Sequence, residues 1–416
     1  MTKAHRRRGL GAALILAAAA ALAMATPTGA SARPLSADTA AAPPCNISAQ
    51  QVNSSARSHH PNPLGGVIVA TGASTSTGGC HKPPPEPAFD GTPPLLFHGS
   101  PPTCNFSPCF DGNVMMTKST GPLVVVPIFW NPTAYPMSSD YKNIITSYIG
   151  DVAKASGKNQ NVYSVANEYY GNNGQIQYSI QLGSVINDTN PLPASGCTLE
   201  SADTSGIYVD GSGYSACLDD AQLQAEVDSV TAADGLPHNL SHIYVLYLPK
   251  HVESCFLPGE TTDPSDGQFC TINYEPTAAY CAYHSADPAS AVYANMAYPI
   301  YASPVGFTCG SDARFPVLES PNGNPDADTE ISPTSHEIIE AITDPDTESG
   351  WYDEPLTFEI GDECAYIYGR TSGAPGAYFN QVINGGHFLT QEEFSNKVFA
   401  SSGGTVGCFQ SQSDEH

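Results

Sequence analysis

The sequence predicts an α+β domain with a mixed sheet, and three observations carry that expectation. The β-branched, aromatic runs Leu123–Trp130 and 243–248 have the length and composition of buried strands. Residues 141–155 and 219–233 carry apolar residues at helical spacing. Strands and helices alternate loosely with no internal repeat, so one core of about 300 residues is the economical reading.

Each element has its own signal. The first strand ends at Asn131-Pro132. The first helix places Tyr141, Ile144, Ile145, Tyr148, Ile149 and Val152 on one side, and the second does the same with Leu223, Val227 and Val230. Residues 176–182 alternate as a strand. Residues 291–301, with Tyr293, Asn295, Ala297 and Pro299 on one side, read as another, and the proline predicts a sheet edge. Ahead of all these, residues 33–110 are rich in Pro, Gly, Ser, Thr and Ala, a composition that suits a semi-extended leader or linker. A short strand is expected at 66–70, and a removable prosegment is one reading of the whole stretch.

The first 32 residues join a basic start (Lys3, Arg6, Arg7, Arg8), an apolar run at 10–25 and Ala30-Ser31-Ala32. That pattern predicts a secretory signal peptide cleaved after Ala32. The chain therefore divides into 1–32 signal, 33–110 leader and 111–416 folded domain. With 15 basic and 41 acidic residues the net charge is −26; losing four basic residues with the signal leaves 11 against 41, or −30. Such a chain would be repelled by nucleic acid and by anionic membranes. The expected location is extracellular, with no membrane partner after cleavage. Twelve cysteines in an exported chain predict disulfides, and sequential pairing is the simplest guess: 45–80, 104–109, 197–217, 255–270, 281–309 and 364–408.

Chemistry concentrates in Ser332-Pro-Thr-Ser-His336-Glu337-Ile-Ile-Glu340-Ala-Ile342-Thr-Asp344-Pro345. Ser332 or Thr334 is the expected N-cap, and Asp344-Pro345 the stop, giving a helix of about ten residues. Ile338, Ile339 and Ile342 form its apolar stripe. On the other side His336 and Glu340, four apart, can ligate one metal ion while Glu337 polarises a water, the logic of H-E-x-x-H with a carboxylate as second ligand. A third ligand is expected from Glu359 or Asp362, ranked together, and then from Asp344. Glu359 and Asp362 follow Glu340 by 19 and 22 residues, a gap similar to that of thermolysin-like zincins. The competing reading is a solvated amphipathic helix. Asn322, Asn324, Asp326, Asp328 and Glu330 alternate as a calcium loop or a solvated turn would. His284 is a candidate for substrate binding or oxyanion stabilisation, with a structural role as the alternative, and His387 is a weaker candidate. Trp351 and Tyr352 read as cleft lining or core, and 391–396 as scaffolding near the site.

Seven segments occur together and in order: Pro127-Ile-Phe-Trp130, Tyr247-Leu-Pro-Lys250, Cys281-Ala-Tyr-His284, Ser335–Pro345 with its His-Glu-Ile-Ile-Glu core, Gly350-Trp-Tyr-Asp353, Glu359-Ile-Gly-Asp362 and Leu389-Thr-Gln-Glu-Glu-Phe-Ser-Asn396. Over roughly residues 115–410 the chain resembles secreted bacterial relatives of the plant phosphate-induced protein / EXORDIUM family. The resemblance implies a zincin-like metallopeptidase with His336 and Glu340 as ligands and Glu337 as general base. Its cofactor would be a divalent metal, zinc first, with manganese as an alternative and calcium as a catalytic or structural ion. Its partner would be a peptide or protein substrate, or a cell-wall component. The plant members, growth regulators without an intact signature, supply the rival: a non-catalytic extracellular protein. An ion-stabilised glycan-binding module is the second rival.

Overall fold

The computed structural model describes residues 67–69, 71–72, 94–99, 109–199, 204–257, 269–271, 280–301, 307–315, 317–347, 349–353 and 358–414. The signal segment, most of the leader, and Cys45, Cys80 and Cys104 lie outside them.

A mixed sheet organises the domain. Its strands are β1 (Val67–Val69), β2 (Leu123–Trp130), β3 (Ile180–Leu182), β4 (Ile186–Asp188), β6 (His242–Tyr247), β8 (Tyr280–Ala286) and β9 (Val292–Met296); β5 (Ala216–Asp219) and β7 (Val252–Leu257) pair in a smaller sheet. The large sheet runs β1-β8-β9-β6-β2-β3, and β4 also pairs with β2. From β9 to β3 the pairing is parallel; β8 and β1 are each antiparallel to their neighbour. Alternation assigns the two faces. Val125, Phe129, Val245, Tyr247 and Ala294 join the cluster that includes Ile145 of α1 (Ser139–Lys154) and Ile339 of α3 (Pro325–Thr343). Val126, Ile128, Tyr244, Leu246 and Tyr293 face Leu223 and Val227 of α2 (Asp220–Asp234). Helices thus cover both faces, and every central strand is buried on both sides, which is why these strands read as continuous apolar runs.

Two strand expectations need correction. The strand expected at 291–301 is only Val292–Met296 and lies inside the sheet between β8 and β6. Pro299 falls beyond its end, where no ladder donor is required, so it says nothing about an edge. The strand expected at 176–182 shortens to β3, with Ile176 in an isolated bridge to Thr117. The short strand expected at 66–70 is present as β1, which pairs with β8, and Leu96–Phe97 pairs with Trp351–Tyr352. Leu95 is buried, its backbone bonded both ways to the Asn396 amide.

Disulfides join Cys197–Cys217, Cys255–Cys270, Cys281–Cys309 and Cys364–Cys408, the four sequential pairs that the described residues can show. They are compatible with an extracellular protein. No helix among the described residues is long and apolar enough to cross a membrane.

Candidate metal centre

α3 begins earlier than its sequence signals. Asn324 caps it by accepting from the Ala327 N–H, and Pro325 opens the first turn. The expected caps are interior instead: the Ser332 hydroxyl accepts from the Gln391 N–H, and Pro333 sits inside the helix, forgoing a bond to the Thr329 carbonyl. The alternating acids Asp326, Asp328 and Glu330 fall inside its first turns and do not converge as a calcium loop. Asp326 accepts from the Tyr298 and Tyr301 hydroxyls, Asp328 from Ser320 and Asn322, and Glu330 from Tyr141. A helix of this register turns successive acids to different sides.

The apolar stripe Ile338, Ile339 and Ile342 docks on the sheet, each side chain contributing on the order of 1.5–3 kcal/mol by burial. Docking sends the polar stripe into the protein rather than into solvent. His336, Glu337 and Glu340 are 0% exposed, which rules out a wet surface helix. His336 Nε2 stands 3.1 Å from Glu340 Oε2 and 3.6 Å from Asp362 Oδ1. From β8, His284 Nδ1 lies 3.3 Å from Glu337 Oε2 and 3.7 Å from Glu340 Oε2, and its Nε2 lies 3.9 Å from Glu359 Oε1. Two donor sets share Glu340: His336 with Glu337, and His284 with Glu359; within each set the ligand atoms fall inside 4.8 Å.

Several contacts hold these groups in place. His284 Nε2 is 2.9 Å from the Asp344 carbonyl, which can only accept, so Nε2 carries the proton and Nδ1 turns a lone pair toward Glu337 and Glu340. Both ring nitrogens of His284 are therefore occupied by groups of the cluster. One oxygen of Asp344, Oδ1, accepts from the Ser349 and Gly350 N–H groups in the turn that ends α3, while its buried Oδ2 has no hydrogen bond. The Asp362 N–H donates to Glu340 Oε1, and Gln391 Nε2 donates to the Gly361 carbonyl, fixing the 359–362 loop over the helix. Gly361 is required there by space, since a Cβ would meet His336 Nδ1 at 2.6 Å and Glu340 Oε1 at 2.9 Å. His387 lies apart, stacked on Phe379 at 4.0 Å. Trp351 packs on Phe97 and Tyr169, and Tyr352 on His98, so these aromatics join leader to domain.

Electrostatically the cluster lacks positive charge. Burial pushes Glu340 well above the usual carboxylate range; burial and then the charges of Glu340, Asp344, Asp362 and Glu337 do the same to Glu359. Burial, and then Asp346, raises Asp344. Burial lowers His336 and, with the His336 charge adding to it, lowers His284 to about 4. Neutral imidazoles beside several carboxylates leave the site in need of protons or of a cation. Both Glu359 oxygens and both His336 ring nitrogens are buried without a hydrogen bond of good geometry. Two imidazoles and four carboxylates could hold a divalent ion. Sequence reasoning missed the inward orientation of His284 and the packing roles of Gly361 and Gln391, because each depends on contacts between residues more than 20 apart in the chain. Comparison with protein families, with curated proteins and with solved structures finds no match.

Proposed function

We propose that the chain is an exported, zincin-like metal-dependent hydrolase of peptide bonds, related to the bacterial phosphate-induced protein / EXORDIUM group. The observation that supports it most is the convergence of His336, Glu337 and Glu340 from one helix with His284, Glu359 and Asp362 from two other segments. His336, Glu340 and a carboxylate or imidazole from across the cluster would hold the ion, with zinc the first candidate and manganese the second. When bound, such an ion polarises a substrate carbonyl and makes a water easier to deprotonate. Glu337, beside the proposed ligands on the same helix, would accept the proton of such a water on its carboxylate. The Asp362 N–H orients Glu340, the Gln391 amide holds the loop that carries that N–H by the Gly361 carbonyl, and the Asp344 carbonyl orients His284.

One observation favours a second reading, a non-catalytic extracellular protein in which the ion is structural. The cluster is closed: the side chains of His284, His336, Glu337, Glu340 and Glu359 are fully buried, whereas a hydrolytic site keeps a position open. On the enzyme reading, the leader is the cover. β1 occupies the free side of β8, the strand that carries His284, and its backbone comes within 8 Å of α3. An extended peptide would pair along β8 only after β1 leaves.

Glu337→Gln separates the two. It keeps size and polarity, so zinc content and melting temperature should persist while peptide turnover, assayed with and without proteolytic removal of the leader, falls at least ~10²-fold. His336→Ala should lose metal and activity together. Full activity in Glu337→Gln would end the general-base assignment. Absence of both turnover and metal in the wild type would end the enzyme reading.

A further inference from the structure

On the opposite face of the sheet from the cluster, α2, the loop after it and the turn after β8 bring Asp228, His238 and Asp287 together. One ligand atom from each lies within 4.8 Å of the other two. Asp287 is 1% exposed. Its Oδ1 accepts from the Ala289 and Ala291 N–H groups, which locks the carboxylate in its turn. Its Oδ2 is buried with no hydrogen bond, as is Asp228 Oδ1. Burial, and then the adjoining Asp228 carboxyl, pushes Asp287 up to about 6.

The orientation of His238 supplies an independent clue. The Thr231 hydroxyl lies 2.7 Å from the Val227 carbonyl and 2.8 Å from His238 Nε2. That contact turns Nδ1 toward Asp228 Oδ1, 3.7 Å away. When the hydroxyl gives its hydrogen to the carbonyl, Nε2 holds the ring proton and Nδ1 offers a lone pair to a cation. The His238 side chain is 20% exposed and that of Asp228 44%, so an ion from solvent can reach them.

We propose that Asp228, His238 and Asp287 form a second divalent-cation site, of zinc type, separate from the cluster on α3. One imidazole with two carboxylates is a donor set that zinc accepts, with the Thr231 hydroxyl orienting the imidazole from behind. An ion here clamps the C-terminal half of α2 to the turn that leaves β8. It is independent of the hydrolase reading.

The test uses the full chain, stripped with chelator and titrated with zinc chloride alone, with bound zinc counted after equilibrium dialysis. Asp228→Asn, half-exposed and close in shape, should bind one equivalent fewer than wild type and keep its far-ultraviolet circular dichroism. His238→Gln should lose the same equivalent. Glu340→Gln should leave this equivalent in place, so an empty α3 cluster would not be mistaken for failure here. Equal zinc stoichiometry in wild type, Asp228→Asn and His238→Gln overturns the proposal. So does a His238 ring that still titrates freely by nuclear magnetic resonance in saturating zinc, since that result means the carboxylates are served by protons.

Discussion

Gly361 lies so close to His336 and Glu340 that the smallest substitution tests the arrangement. Its backbone is in the ordinary right-handed region, φ −82°, so alanine costs nothing there in conformation. The cost is steric: the added carbon would press on His336 Nδ1 and Glu340 Oε1. Gly361→Ala should destabilise by about 1–3 kcal/mol, as overpacking does. It should also weaken zinc binding at least tenfold, read by competition with a chelating dye. An unchanged affinity would mean that His336 and Glu340 do not share an ion. The residue types of this site were legible from the sequence, since His336, Glu337 and Glu340 announce themselves by spacing. Gly361 was not, because a glycine's reason for being small lies in what approaches it.

α3 shows where local signals mislead. Its apolar period and its stop at Asp344 were readable, but its start was not. Ser332-Pro333 has the form of a helix entry, and nothing local distinguishes it from an interior proline tolerated by tertiary packing. The true entry, Asn324-Pro325, has the same form. Asn324 caps Ala327 and also donates from Nδ2 to Asp140 Oδ2 at the start of α1. Asn324→Ala should therefore lower stability by about 1 kcal/mol or slightly more, measured as a shift of the urea midpoint. An equal loss from Ser332→Ala would not identify a cap, since that hydroxyl holds Gln391 instead.

At the scale of the molecule, the alternation of strands and helices was legible, and so were the four described disulfides, whose sequential order matches short loops closing on neighbouring elements. The sheet order was not, because which strand lies beside which is decided by crossovers and not by any strand's composition. Burial of so many acids gives the whole protein a pH signature. In the metal-free protein Glu340, Glu359, Asp344 and Glu393 have folded pKa values raised, chiefly by burial. Their contribution to stability is present below the unfolded carboxylate pKa and is lost as pH rises through the raised folded values. His284, lowered to about 4, and His336, also lowered by burial, act oppositely: their contribution is present above the unfolded histidine pKa of about 6.5 and fades as pH falls through the lowered folded values. The four raised carboxyls outnumber the two imidazoles. Chelator-treated protein should melt at progressively lower temperature from about pH 5 to pH 8, and zinc should flatten that slope. Calorimetry in two buffers of different ionisation enthalpy should show protons released as zinc binds; no release would mean the carboxylates were already charged.

The pairing of β1 on β8 has a consequence for colloidal behaviour. While β1 is in place, the outward hydrogen-bonding groups of Ala282 and Tyr283 have partners in Ile68 and Val67. A chain shorn of its leader keeps that strand but loses its neighbour, and an unpartnered row of backbone donors and acceptors invites another copy to pair with it. Net charge opposes such encounters at low ionic strength and is screened when salt is added. Leaderless protein should therefore stay monodisperse in dilute buffer and self-associate as salt and concentration rise, while the full chain does not.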